Sequence, residues 1–289
     1  MLINEYVRYL KSKFNIFIFV AITIPVILSY YMTYAEKSEW AKQIQSPQED
    51  MNLAATIEAY NSYTAMTYFD KFLSSTDYYI IFAILLLVSF GIHLGSQSHK
   101  VLQTGYGNFI VSRVAYKNYL GAVLKAQFLY ILTFIASYFS LLAFLTYIIG
   151  KGYSIAREDL WNHMNPIQMF GHIFLLVIFI YLLVTLTTLL SFLLKNKHIM
   201  QAFPLIIYTL TMFIGAAIEM FLNSMKSGLG IVGAVLRSDF YLLSLYIPIE
   251  EGSIKYILSF ALSLPIFLIV LLMILYQWHL KTNSKEYIV

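Results

Sequence analysis

The chain has 289 residues, of which 60% are hydrophobic and only 12% charged, with a formal net charge of +4. Soluble domains carry about 25% charged residues, so a water-soluble globule is excluded and the chain reads as an integral membrane protein. There is no cysteine, which removes disulfides, thiolate chemistry and Cys-based metal sites together.

Residues 1–13 read as an interfacial helix. In NEYVRYLKSKFN, Asn4–Asn15, apolar Tyr6, Val7, Leu10 and Phe14 are set against Glu5, Arg8, Lys11 and Lys13, the pattern of an amphipathic helix lying on the membrane surface. The basic start and the charge-free run Ile16–Tyr34 look like a secretory signal. The run is about 19 residues long and lacks a small-x-small cleavage site, so it is expected to be a retained span.

Six spans are expected, at residues 14–34, 77–97, 119–150, 167–194, 199–222 and 254–280. Each holds enough apolar residues to cross about 30 Å of hydrocarbon as a helix, and the runs are too long and uniformly apolar for barrel strands. With both termini in the cytoplasm, the inner segments (1–13, 98–118 with Lys125, 195–198 and 281–289) hold 11 of the 19 Lys and Arg but only two acids, Glu5 and Glu286. The positive-inside rule supports that orientation, which needs an even number of spans. Lys outnumbers Arg 15 to 4, a composition that fits an AT-rich bacterial genome, so the expected location is a bacterial plasma membrane.

The outer loop at 35–76 is long and acidic, and QEDMNLAATIEAYNSYTAM within it is expected to form one or two short helices. Residues 151–166 form a short outer loop. Residues 223–253 contain GLGIVGAVL, Gly228–Leu236, too short to span. It either dips into the outer leaflet as a reentrant half-helix or lies flat in the interface.

No Gly-x-x-x-x-Gly-Lys-Ser/Thr run occurs, so the chain has no phosphate cradle of the P-loop kind. The six His residues are scattered and no pair stands at i, i+4, which argues against a metal site. Neither a catalytic motif nor a nucleic-acid-binding one is read. Glu219, in TMFIGAAIEMFLN, is the clear ionisable residue within a span. It either reaches the outer interface or caps the following reentrant segment, or else lines a substrate path, with Gly215 just before it allowing close helix packing. Pro25, Pro204 and Pro265 fall within spans and are expected to kink them.

The segment 98–118, SHKVLQTGYGNFIVSRVAYKN, carries Lys100, Arg113 and Lys117 and no acid. Anionic headgroups would account for the bases. They do not account for the turn around Thr104, Gly105, Gly107 and Asn108, flanked by Val101, Leu102, Phe109, Ile110 and Val111. That is the pattern of two short interfacial helices, or one broken helix, with one face left for a partner.

This order of parts resembles the permease subunit of a type-2 ABC exporter. The residues that carry the resemblance are Asn4–Asn15, TGYGNFIVSRVAYKNYLGAVLKA at Thr104–Ala126, and Gly228–Leu236. The resemblance implies an all-α membrane fold of six transmembrane helices with an N-terminal elbow helix, a coupling helix at 98–118 and outer reentrant helices before the last span. It implies a single permease domain over 1–289. The residues that would contact a separate ABC ATPase are Lys100, Leu102, Thr104, Gly105, Tyr106, Asn108, Phe109 and Arg113. ATP and Mg would be held by that ATPase, with no cofactor on this chain, and a second permease chain, identical or related, would complete the path. Many family members carry an acid just before the Gly turn, where SQSHKVLQTG has none. Among small permeases the likeness is to exporters of antimicrobial and cytolytic peptides such as phenol-soluble modulins, which implies amphipathic or hydrophobic cargo. The alternative is a membrane protein not coupled to ATP. A secondary transporter would need inverted repeats and paired ionisable groups at mid-membrane, and none is read. A peptide-immunity protein would need no coupling segment.

Overall fold

The structure, a computed structural model, describes residues 1–46, 52–61, 63, 65–74, 76–95, 97, 116–150, 166–190, 196–224, 269, 272–278 and 280. All regular structure among them is helical: α1 (Leu2–Leu10), α2 (Phe14–Gln45), α3 (Leu53–Asn61), α4 (Ala65–Ser74), α5 (Thr76–Phe90), a π-helical segment (Gly91–Gly95), α6 (Tyr116–Gly150), α7 (Pro166–Leu189) and α8 (Lys197–Ser224). Residues 272–278 are helical as well. Three stretches, Phe14–Gln45, Asp77–Gly95 and Lys117–Thr146, are long and apolar enough to cross a membrane, and Leu176–Leu189 is a shorter apolar helix. The protein is a multi-pass helical membrane protein.

Five of the expected spans fall on these helices, and their boundaries shift for physical reasons. The first runs on to Gln45, so Ala35–Gln45 continues α2 instead of opening the outer loop. AEKSEWAKQIQ contains no Gly or Pro and is rich in helix formers, so nothing stops the helix where its apolar stretch ends. At 32 residues α2 is about 48 Å long, well beyond the 30 Å of hydrocarbon, and its polar end projects from the membrane. The helical content expected within 35–76 is present as two helices, α3 and α4. The second span is α-helical only to Phe90 and then widens into the π segment. Of the sixth, only the residues near 272–280 are described, and they are helical.

Hydrogen bonds fix the direction of α2 relative to α6. The Tyr130 hydroxyl donates to Asn15 Oδ1 at 2.6 Å. Tyr138 reaches the Ile22 carbonyl and Thr23 Oγ1, both at 3.4 Å. The Tyr30 and Thr146 hydroxyls meet at 2.6 Å. The sequence offset stays at 115 or 116 along the whole series, so the two helices run parallel. Between them α5 runs the other way: Phe82 packs on Tyr138 and Phe139, Phe90 on Tyr130 and Phe134, and His93 on Tyr130.

The main core is aromatic. Phe72 of α4, Phe82 and Phe90 of α5 and Tyr130 of α6 are fully buried in one cluster with Ile18 and Ile22 of α2. A second cluster joins Leu120 of α6, Leu182, Leu186 and Leu189 of α7, and Leu272. Leu275, Tyr276 and Leu280 pack on that same cluster, which brings the last described residues to the end of the bundle where α6 begins and α7 stops.

At the opposite end α3 and α4 form a small cap on the projecting part of α2. Lys37 is buried, donates to the Tyr63 carbonyl at 3.0 Å and lies 5.0 Å from the centre of the Tyr60 ring. Lys71 donates to the Tyr63 hydroxyl at 2.8 Å and pairs with Glu36. Burial acts to lower the Lys71 ammonium, but the hydrogen bonds to Glu36 and Tyr63 outweigh it and hold the group above its ordinary value. The cap is therefore pinned by two lysines whose charges are held by carbonyl, phenol, ring and carboxylate.

Candidate functional site

One group of buried polar residues, Glu5, His93 and Gln127, gathers where α1 meets the bundle. The helix α1 is not laid on lipid by the apolar set Tyr6, Val7, Leu10 and Phe14 alone. Its buried residues are Glu5 and Tyr9, while Ile3 and Leu10 are exposed on the other side. An i, i+4 pair faces one direction on a helix, and here Glu5 and Tyr9 face the protein. The Tyr6 hydroxyl adds a hydrogen bond to Thr133 Oγ1 at 3.3 Å. The expectation that Glu5 belongs to the polar, solvent-facing set is corrected by this packing.

The chain turns at Lys11–Lys13 and is held there by Asn15, whose amide donates to the Tyr9 and Leu10 carbonyls at 3.1 and 2.8 Å. Those two carbonyls belong to the last turn of α1, which leaves its final acceptors open. The same side chain accepts from Tyr130. One asparagine thus closes α1, starts α2 and ties both to α6.

His93 sits beside this turn on the π segment. It is 5% exposed, stacks on Phe14 at 5.5 Å, and packs against Tyr9 and Tyr130 at 6.2 and 5.5 Å. Its Nε2 has no hydrogen-bond partner, and the same holds for buried Gln97 Oε1, four residues on, and for Arg8 Nε of α1. Buried polar atoms without partners are costly and concentrate where a structure serves something besides stability. Gln127 of α6, fully buried, donates to Thr188 of α7 at 3.1 Å, so α7 is tied to the same level.

The π segment exists because α8 presses against it. A Cβ at Gly91 would overlap the Gln201 carbonyl oxygen, and one at Gly95 would lie 3.0 Å from the Met200 carbonyl oxygen. Two glycines let the backbones touch, as small residues do between membrane helices. The wide turn accommodates the displaced residue, and such turns recur at functional sites.

Glu5 pairs with Arg8. Burial raises its carboxyl above the ordinary value, against the pull of Arg8. Burial also pushes the Tyr9 phenol up to about 12. Because the docked helix prefers the protonated carboxyl, docking is strongest below pH 4.5, the ordinary Glu value, and weakens as pH rises through the raised one. Glu5→Gln is expected to flatten this slope, melting above the wild type at pH 7 and level with it at pH 4. Thermal melts in detergent across that range are the check, and parallel curves for the two proteins contradict the reading.

Of the residues singled out in the sequence, Lys100, Leu102, Thr104, Gly105, Tyr106, Asn108, Phe109 and Arg113 lie outside the described residues, as does Gly228–Leu236. Gly215 and Glu219 lie on α8. Glu219 is 18 residues beyond Gln201, about 27 Å along the helix from the π segment and toward its C-terminal end. It is therefore not part of the joint formed by Glu5, Arg8, Tyr9, Asn15, His93, Gln127 and Tyr130. Glu5 and Arg8 belong to the amphipathic pattern read at the start of the chain, and two more carry a signal in the sequence, His93 as the one His in the charge-free run from Tyr78 to Ser98 and Gln127 as an amide within a span. Among the described residues no group of His, Asp and Glu could hold a metal ion. No family model, curated protein or solved structure matches the chain.

Proposed function

We propose that the chain is the transmembrane subunit of an ABC exporter that moves amphipathic peptides or other hydrophobic cargo, driven by ATP hydrolysed on a separate subunit. The observation that carries the reading is a convergence. The α1 helix, the π segment, the start of α6, the end of α7 and the start of α8 meet at one end of the bundle. The described residues on either side of the connection, Gln97 and Tyr116, lie at the end of the π segment and the start of α6. That is the position a coupling segment requires, with a packed joint behind it able to pass a push into several spans at once. Both termini are then cytoplasmic, the membrane is a bacterial plasma membrane, and six spans complete the topology. A second permease chain closes the path, and the exposed α2 face of Ile16, Val20, Ile24 and Ile27 is apolar enough to meet either that chain or lipid. ATP and Mg stay with the ATPase.

Co-purification from detergent with an ATPase encoded beside this chain tests the proposal. Wild-type protein is expected to retain the ATPase. Replacing Gly105–Arg113 by a flexible Gly/Ser linker is expected to release it, while the permease still elutes as a folded species. Undiminished binding by the linker variant would overturn the contact. Unchanged peptide secretion in a deletion strain would overturn the cargo class.

A further inference from the structure

A groove of about 490 Å³ opens between α1, α6 and α7, lined by Leu2, Lys125, Phe128, Leu129 and Tyr181. That size lies within the range of small-ligand sites, about 300–1,000 Å³. Its wall is almost wholly apolar, and Lys125 and Tyr181 are the lining residues whose side chains end in a polar group. The Phe128 and Tyr181 rings, both part of its lining, meet edge to face at 5.1 Å.

The charge stands at one end. Lys125, Phe128 and Leu129 are i, i+3 and i+4 on α6 and share one face. Lys125 is one turn nearer the end of the bundle where α1 lies, and α1 contributes Leu2 at the rim. The apolar residues continue from there toward the membrane interior. Lys125 is exposed, and no carboxylate lies within ion-pair distance of it among the described residues. An open apolar channel in a membrane protein is filled by a hydrocarbon chain. One with an unpaired cation at its interfacial end is complementary to a chain that carries a negative headgroup at that depth.

We infer that this groove is a site for an acidic phospholipid, with its phosphate on Lys125 and one acyl chain along Phe128, Leu129 and Tyr181. The site touches α1, α6 and α7 together, so occupancy braces the docked interfacial helix against two long helices. The inference needs only the membrane setting and stands apart from the transporter reading.

The test uses the full chain in detergent with added dioleoyl phosphatidylglycerol or dioleoyl phosphatidylcholine, read by native mass spectrometry and by melting temperature. The wild type is expected to bind phosphatidylglycerol about fivefold more tightly than phosphatidylcholine, the ratio that one base at the membrane surface supplies. Lys125→Gln should abolish that preference and leave weak binding of both lipids. Lys117→Gln, an exposed lysine of the same helix outside the groove, should behave as wild type. Leu129→Trp should fill the groove and weaken both lipids. If that variant fails to fold, Lys125→Gln decides alone, since an exposed lysine carries no packing. Equal binding of the two lipids by wild type overturns the inference, as does a preference surviving in Lys125→Gln. It is also overturned if glycerophosphoglycerol, the headgroup without chains, competes as well as the whole lipid.

Discussion

Gly91→Ala is expected to destabilise the protein by about 1–3 kcal/mol, the usual cost of forcing an extra methyl group into a packed interior. The added Cβ meets the Gln201 carbonyl oxygen, with Pro204 Cγ next at 3.3 Å. A long side chain could swing away, but a backbone carbonyl cannot move without its helix. Pro204 stiffens that turn of α8, and Met200 is already seated against Gly95. The strain must therefore push α8 off the π segment or return α5 to a regular turn. Gly121→Ala is the matched control. No atom lies within 4 Å of a Cβ there, so the change should be neutral or stabilising by about 0.5–1 kcal/mol through helix propensity. Unfolding in a denaturing detergent series distinguishes the two, and equal midpoints would show that the α5–α8 contact is softer than described.

Phe82→Ala is expected to cost about 3–5 kcal/mol, in the range of large-to-small aromatic truncations. Phe82 is fully buried and touches Phe72, Tyr79, Tyr138 and Phe139 at ring distances of 5.4, 5.9, 5.7 and 5.7 Å. It binds the cap helix α4 to both α5 and α6. Lipid tails are as apolar as the core, so the loss is one of packing and dispersion and not of transfer from water. Phe213→Ala, at a residue of α8 that is 70% exposed, leaves no enclosed void and should change stability by no more than about 0.5 kcal/mol. The same unfolding assay measures both. Similar losses at the two positions would contradict the packing described for Phe82.

The long helices were legible because charge and apolarity are sharply segregated along the chain. The expected spans at 119–150, 167–194 and 199–222 lie on α6, α7 and α8 within a few residues at most ends. Polar helix was harder to read. Ala35–Gln45 has the composition of a loop and the propensities of a helix, and α2 continues through it with α3 and α4 packed against its C-terminal part. The π segment has a tertiary cause, the approach of α8, which spacing within 77–97 does not show. The site was legible only in part. Attention to charge within the spans leads to Glu219, whereas buried polar atoms left without partners among the described residues, Arg8 Nε, His93 Nε2 and Gln97 Oε1, lie at the other end, beside Tyr9, Asn15 and Tyr130. Their grouping arises from residues 5–15, 93 and 127–130 meeting in space, and only the fold brings those stretches together.

The constant offset between α2 and α6 limits how the bundle can move. Its three rungs are spaced about two helical turns apart on each helix. Sliding α2 past α6 by a single turn, about 5.4 Å, would break all of them at once. Interhelical hydrogen bonds of this kind average about 0.6 kcal/mol each, so any one could open alone, but a slide must open every rung together. Ratchet and screw motions are thereby disfavoured along this seam. What remains open to it is rocking, in which α2 and α6 tilt together as one plate about the Asn15–Tyr130 end.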